Sequence, residues 1–341
     1  MKRTGTLLGL VWAAQASTLW AQEAPKQILA EAVDTAEVKF TGWDSFLGLA
    51  LNGTMAKNSD VVGKEDGQTT TVGLKLDGEL NYKEGLSLWK NSLTALTSFS
   101  RTPLLGEYVK SEDQLKVESL YKRQFVEESK FGSFARIQAE SSFFPSYATQ
   151  IEPVDFLLKK RDGSEVSRNS DRLLLTDAFK PIKLGESIGV FSNLLSSDLA
   201  TLDVKAGLGL REVFARGQYV LDDDKSTLPI EVKELNDYRK AGYEFGSDLS
   251  GKTPDKRVGY KLTANVLFPF YESVEIRDSS RSSFDKRIID INGKVSFYLV
   301  EWASLDYVAS ALRDPNLVAK TQISQSFLFS TQYILADRRK E

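Results

Sequence analysis

From Val72 to Tyr82 the chain alternates apolar and polar residues without a break. Val72, Leu74, Leu76, Gly78, Leu80 and Tyr82 share one parity; Gly73, Lys75, Asp77, Glu79 and Asn81 share the other. A period of two predicts a β-strand with one greasy and one charged face. The pattern recurs along the chain. Residues 40–55 set Trp43, Leu47, Leu49 and Leu51 against Asp44 and Asn52, and residues 86–99 align Trp89, Leu93, Ala95 and Phe99. Residues 113–125 set Leu115, Val117, Tyr121 and Phe125 against Lys116, Glu118 and Lys122. Residues 131–143 set Phe131, Ala135, Ile137, Ala139 and Phe143 against Arg136, Gln138 and Glu140. Similar strands are predicted over 202–211, 258–268, 289–299 and 323–335, with further ones over 236–249 and 302–312. The stretch 171–195 holds one or two strands, broken near Pro181.

About twelve strands follow. Their connections alternate in character: short at Lys83–Gly85, Glu127–Lys130 and near Glu301, long and polar at Asn58–Thr69, Arg101–Glu112 and Phe144–Ser170. Short turns at one end and long loops at the other are the habit of outer-membrane barrels. In the 144–170 link, Lys159-Lys160-Arg161-Asp162-Gly163 reads as a solvated hairpin tip. A turn centred near Glu128 sets Lys116 opposite Glu140.

Whether the greasy parity points outward to lipid or inward to a soluble core decides the class. Aromatic residues favour lipid. Trp43, Tyr82, Trp89, Phe125 and Phe131 gather at one end of the predicted strands, Phe99 and Phe143 at the other, with Tyr333 on the last strand. Ten residues from Trp89 to Phe99, at ~3.3 Å each and a tilt near 40°, cover ~25 Å, the height of a barrel's apolar band. Girdles at strand ends are expected of membrane interfaces. The other parity then lines a wet lumen, where Lys75, Asp77, Glu79, Lys116, Glu118, Lys122, Arg136 and Glu140 can pair across strands. The expected fold is all-β, an antiparallel transmembrane up-and-down barrel of about 12 strands. It occupies residues 38–336, after a lead-in over 22–37 and before a polar tail over 337–341.

The N-terminus adds a compartment. Lys2 and Arg3, the apolar run Leu7–Ala16, and Leu19-Trp20-Ala21 before Gln22 predict a secretory signal peptide over 1–21. No later stretch approaches the ~20 apolar residues of a transmembrane helix. The expected location is the outer membrane.

The stretch Trp43–Tyr147 resembles a family of uncharacterised outer-membrane β-barrels of Gram-negative bacteria. The residues that carry the resemblance are Leu80-Asn81-Tyr82, Trp89-Lys90-Asn91-Ser92-Leu93, Lys110-Ser111-Glu112-Asp113-Gln114-Leu115, Ser119-Leu120-Tyr121 and Phe143-Phe144-Pro145. Ser296–Leu335 is similar too, with its Asp314-Pro315 loop and closing strand. The resemblance implies an outer-membrane barrel and transfers no activity. Such barrels end in an aromatic residue read by the insertion machinery; here Tyr333-Ile334-Leu335 is followed by Ala336–Glu341.

Composition narrows the chemistry. The 341 residues include no cysteine and no histidine, which removes disulfides, thiolate metal sites, cysteine nucleophiles and the commonest general base. Lys+Arg number 44 against 47 Asp+Glu; without Lys2 and Arg3 the balance is −5, no footprint for nucleic acid. Asp77/Glu79 reads better as part of an ion-paired lumen than as an acid–base pair. Asp222-Asp223-Asp224 reads as a polar turn rather than a calcium loop. Gly207-Leu208-Gly209 reads as curvature rather than a phosphate loop. No catalytic residue, metal or cofactor is expected. The expected partners are outer-membrane lipid and the barrel-insertion machinery; composition does not fix an oligomeric state. The expected role is a porin-like passive channel for small solutes or a structural envelope barrel. The alternatives are a surface-loop binding or adhesion barrel and a soluble periplasmic lipid-binding β-barrel.

Overall fold

A computed structural model describes residues 41–58, 67–102, 106–197, 199–222, 229–273, 282–315 and 321–338. The expected signal peptide and lead-in, Asp223 and Asp224 of the expected acidic turn, and the last three residues of the expected tail lie outside them.

Twelve strands close into an antiparallel barrel. They are β1 (Gly42–Asn58), β2 (Gly67–Glu84), β3 (Ser87–Arg101), β4 (Val109–Gln124), β5 (Phe131–Ser141), β8 (Ile182–Ser196), β9 (Ala200–Phe214), β12 (Tyr238–Lys252), β13 (Val258–Glu272), β14 (Ile288–Val300), β15 (Ala303–Arg313) and β16 (Gln322–Asp337). Each barrel strand pairs with the barrel strand before it, and β1 pairs with β16 to close the ring. β16 runs one residue into the expected tail, with Asp337 opposite Phe46. The β4–β5 turn places Glu128 at a positive φ of 58° and sets Lys116 opposite Glu140, the register the turn predicts.

The greasy parity faces outward. Ile137 is 62 % exposed and Leu208 50 %, while Lys75 on the opposite parity is 1 % exposed. A water-soluble sheet cannot hold that arrangement, because its apolar face must leave water. The outer wall is therefore a surface for lipid, and the cavity of a soluble lipid carrier is ruled out by the same reversal.

The interior also carries apolar residues, which the alternation hid among its polar positions. Leu96 on β3 clusters with Val308 on β15 and Leu328 on β16, and Leu120, Phe134 and Phe191 form a second cluster. The first of these reaches across the ring rather than along it.

The 144–170 link is not a plain polar loop. It holds β6 (Ser146–Lys159) and the first half of β7 (Glu165–Thr176), with the hairpin tip at Lys160–Gly163. There Ser164 donates to Asp162 from its hydroxyl and its amide, holding that carboxyl below the usual range. Between β9 and β12 lie two further strands, β10 (Tyr219–Leu221) and β11 (Ile230–Glu234). The four make a separate sheet in the order β10-β11-β6-β7, β11 and β6 running parallel. It stands at the long-loop end and buries its own core, with Phe156, Leu173, Ile230 and Val232 at its centre.

Glycines shape the wall. Gly189 on β8 and Gly207 on β9 face each other on the inward parity. A Cβ on Gly189 would lie 2.2 Å from the Ala206 carbonyl, and one on Gly207 2.2 Å from that of Ile188. The two strands therefore fold sharply toward the lumen here, a corner that only a bare backbone permits. Replacing Gly207 with alanine is expected to cost about 1–3 kcal/mol of barrel stability through overpacking. At outward-facing Gly53, where a Cβ meets nothing closer than 3.9 Å, the same change should be nearly silent in a guanidinium titration in lipid.

Candidate functional site in the barrel interior

Twelve strands ~4.8 Å apart and tilted ~40° close into a cylinder about 24 Å across between backbones. Long side chains reaching in from opposite walls nearly fill it, so charged residues there must pair with one another or with water.

They pair both between adjacent strands and between strands three places apart. Arg136 on β5 donates from its Nε to Ser187 Oγ at 3.1 Å and from Nη2 to Glu244 Oε1 on β12. Arg211 on β9 donates to the other oxygen of the same carboxylate at 2.6 Å. β5 and β12 stand three places apart in the ring, with the corner of β8 and β9 between them. The bend at Gly189 and Gly207 brings those strands close enough for the pair to form. Gly209 leaves the space for it, since a Cβ there would lie 2.3 Å from Glu244 Oε2. One carboxylate is thus held by two guanidiniums in a buried, charge-assisted cluster.

Near the short-turn end, Lys122 on β4 reaches Asp203 on β9 at 2.5 Å, again three strands away, and Lys205 meets Asp248 at 2.5 Å. At the long-loop end, Lys240 is fully buried between Glu272 at 3.8 Å and Asp314 at 3.6 Å. Tyr238 donates to Asp314 at 2.7 Å and Lys286 to Glu272 at 2.6 Å, so both carboxylates also have closer donors. On the far side of the ring Lys75 meets Asp77 at 2.7 Å, Thr94 donates to Asp77 at 3.1 Å, and Lys294 meets Asp306 at 3.4 Å.

The eight residues read as lumen-facing do not form one site. Lys75 and Asp77 pair with each other, Lys122 and Arg136 each pair with a strand three places away, and Glu140 takes Lys183 at 2.9 Å. Lys116 stands opposite Glu140 but makes its ion pair with Glu118, at 3.7 Å. Glu79 is half-buried on the same inward parity of β2. Lys116 and Glu118 retain 29 % and 24 % exposure, so water reaches this part of the interior. The lumen residues expected from the sequence end at Glu140 on β5; Asp203, Lys205 and Arg211 stand on the polar parity of 202–211 but are not among them, nor are Glu244, Asp248 and Lys240. Most sit on alternating strands whose parity already marked them; Glu244 and Asp248 required the pairing of β9 with β12 to be known.

The aromatic residues fall into two groups. The Trp43 ring lies 4.9 Å from Tyr82 and 6.4 Å from Trp89, and Phe125 and Phe131 flank the β4–β5 turn at that same end. Phe99 is exposed toward the long-loop end of β3, and Tyr333 is exposed opposite Leu49. Phe143 lies past the end of β5, half-buried against Phe144 and Phe179.

Over residues 64–147 the chain matches the family described as protein of unknown function (DUF3078). That segment runs from β2 to the start of β6 and contains all eight of the lumen residues read from the sequence. It lies wholly within the stretch Trp43–Tyr147, whose motifs resemble an uncharacterised outer-membrane family. None of the curated proteins compared with the chain matches it. Among solved structures, the NanC porin is 6 % identical, with 85 % of this chain and 100 % of that one covered at a TM-score of 0.40. The COG4313 outer membrane channel from Pseudomonas putida F1 is 9 % identical, covering 89 % and 98 %, at 0.39. The β domain of the Bordetella autotransporter BrkA is 11 % identical, covering 86 % and 99 %, at 0.34. The barrel itself stands on the strand registers above, independently of these likenesses.

Removing one partner of a buried pair strands the other charge. Glu244→Ala is expected to lower stability by about 3–5 kcal/mol, since the buried Arg136 and the half-buried Arg211 lose their counter-ion. Glu118→Ala, breaking a long and partly hydrated pair, should cost under about 1 kcal/mol. A double-mutant cycle on Arg136 and Glu244, read by chemical unfolding in lipid, should give a coupling well above that of Lys116 and Glu118.

Proposed function

We propose that this protein is an exported barrel of the Gram-negative outer membrane that acts without catalysis, as a narrow passive conduit for small solutes. It is exported by the signal peptide at 1–21 and seated by the barrel-insertion machinery. One observation carries the reading: the interior is polar and partly wetted, yet narrowed by the Arg136–Glu244 and Lys122–Asp203 pairs, each bridging strands three places apart. A lumen about 24 Å across between backbones leaves about 10 Å after its side chains, and pairs that bridge strands three places apart at the β8–β9 corner narrow it further from that side. Such a barrel passes small hydrated solutes in small steps rather than at the rate of a wide porin.

A second reading has its own support. The β10-β11-β6-β7 sheet is a folded unit with its own core at the long-loop end, which suits a binding surface displayed outside the membrane. Deleting Tyr147–Thr176 with a short replacement turn separates the two readings. Conduction that survives, with loss of a surface interaction, would favour binding.

In planar bilayers the purified protein should show small, brief conductance steps. Replacing Arg136 and Glu244 together with serine and glycine should raise step size severalfold by removing the bridging pair. Arg136→Glu should shift ion preference toward cations. Silence of both the parent and the double variant would sink the conduit and leave a structural envelope barrel.

A further inference from the structure

The outer wall at the short-turn end is graded in polarity along four neighbouring strands. Its lowest row holds Glu84, Ser87 and Arg123, paired in that order across β2, β3 and β4. The row above holds Trp43, Tyr82, Trp89 and Tyr121, each opposite the next. Above that come Leu80, Asn91 and Ser119, and then Leu47, Gly78, Leu93 and Val117. Charge, aromatic rings, amide and hydroxyl, and aliphatic wall thus succeed one another over three steps of two residues. At ~3.3 Å per residue and ~40° of tilt, that is about 15 Å along the membrane normal.

Three further observations point to an occupant. A pocket of ≈ 430 Å³ opens between Tyr82, Glu84, Ser87, Trp89, Tyr121 and Arg123. Arg123 is exposed, and among the described residues its guanidinium has no ion-pair or hydrogen-bond partner. Its neighbours are occupied with one another: Tyr82 donates to Glu84 at 2.8 Å, Ser87 and Tyr121 share a hydrogen bond of 2.9 Å, and Trp89 donates to Ser119 at 2.8 Å. Higher up, Gly78 leaves a furrow between Leu47 and Leu93, whose atoms lie 3.6 Å and 3.8 Å from where its Cβ would be.

We propose that this face is a binding site for one anionic glycerophospholipid of the leaflet at the short-turn end. Arg123 takes the phosphate, the aromatic row packs on the glycerol region, and an acyl chain lies in the furrow over Gly78. A planar guanidinium meets phosphate bidentately, and tryptophan and tyrosine sit by preference at the headgroup boundary. Glu84 opposes the anion, and its hydrogen bond from Tyr82 draws it aside. The site depends on the lipid-facing wall and not on conduction, so it stands or falls separately from the conduit.

The test uses the full barrel in nanodiscs with Trp302→Phe, leaving Trp43 and Trp89 as wall reporters. Phosphatidylglycerol brominated in its acyl chains should compete for the quenching site about fivefold better than brominated phosphatidylcholine, the ratio expected of one basic residue at an anionic surface. Arg123→Gln should bring the ratio to about one, Arg123→Lys should keep most of it, and Glu84→Gln should raise it. Heat-modifiability on gels confirms that each variant is folded. Equal quenching by the two lipids in the parent overturns the site, as does an undiminished ratio in Arg123→Gln. Loss of the preference on adding inorganic phosphate at constant ionic strength also overturns it, by assigning Arg123 to free phosphate.

Discussion

A backbone amide has no water to turn to inside hydrocarbon, so a sheet that enters a membrane must close on itself. In this chain closure depends on one long-range pairing, β1 with β16, which joins Phe46 to Asp337 and Gly53 to Phe329. Everything else about the barrel follows from that ring being shut. Its outside becomes the only face available to lipid, and its inside the only refuge for charge. With twelve strands the refuge is small. Lysines and carboxylates that would stand apart in water are pressed within ion-pair distance, and several lose their water altogether.

The crowding is uneven because the wall is not a regular cylinder. Gly189 and Gly207 allow β8 and β9 to fold so tightly that any side chain would strike the neighbouring backbone. The corner draws β5 toward β12, and Arg136 and Arg211 converge on Glu244. A ring with side chains at those positions would have a rounder section and a more hydrated pair. Across the lumen, Leu96, Val308 and Leu328 pack into one another beside Lys75 and Asp306. Steric freedom at two glycines and apolar contact between distant strands thus constrict the same lumen from different sides.

Much of this was legible in the residues. A period of two identifies a strand and its two faces from a dozen positions, and the turn at Glu128 was enough to set Lys116 opposite Glu140. Which face met lipid was legible from the placement of Trp43, Tyr82 and Trp89. The bridging pairs were not, because Arg136 and Glu244 lie far apart in sequence and no local pattern relates them. Nor were the inward leucines and phenylalanines. Phe134 occupies a place in its strand where alternation leads one to expect a polar residue, and its packing with Leu120 and Phe191 on the neighbouring strands explains it. Gly207-Leu208-Gly209 was read as curvature, but curvature alone does not say that Gly189 stands opposite.

The least legible part is the small sheet, and the reason is physical. Alternation reports that a strand has two unlike faces, but not which solvent each face meets. On β6, Phe156 and Leu158 are buried in the core of a soluble sheet; on β8, one hairpin later, Ile188 and Val190 are bare on the outer wall. Both strands carry the same period, and their apolar parity points to opposite kinds of surroundings. What changes between them is the boundary of the bilayer. Inside it, exposure of isoleucine is favourable and burial of lysine is tolerated only in pairs. Beyond it, water reverses both preferences, and the chain must bury the side chains it displayed a few residues earlier. The change falls over the segment joining β5 to β6: Ile137 on β5 is bare on the outer wall, and Phe156 on β6 is fully buried. Asp113 on β4 pins that segment, accepting the Phe143 amide at 3.1 Å and the Phe144 amide at 2.6 Å, while Lys110 donates to the Phe144 carbonyl at 2.7 Å. A buried carboxylate and a neighbouring lysine hold the chain where its rule of burial changes sign.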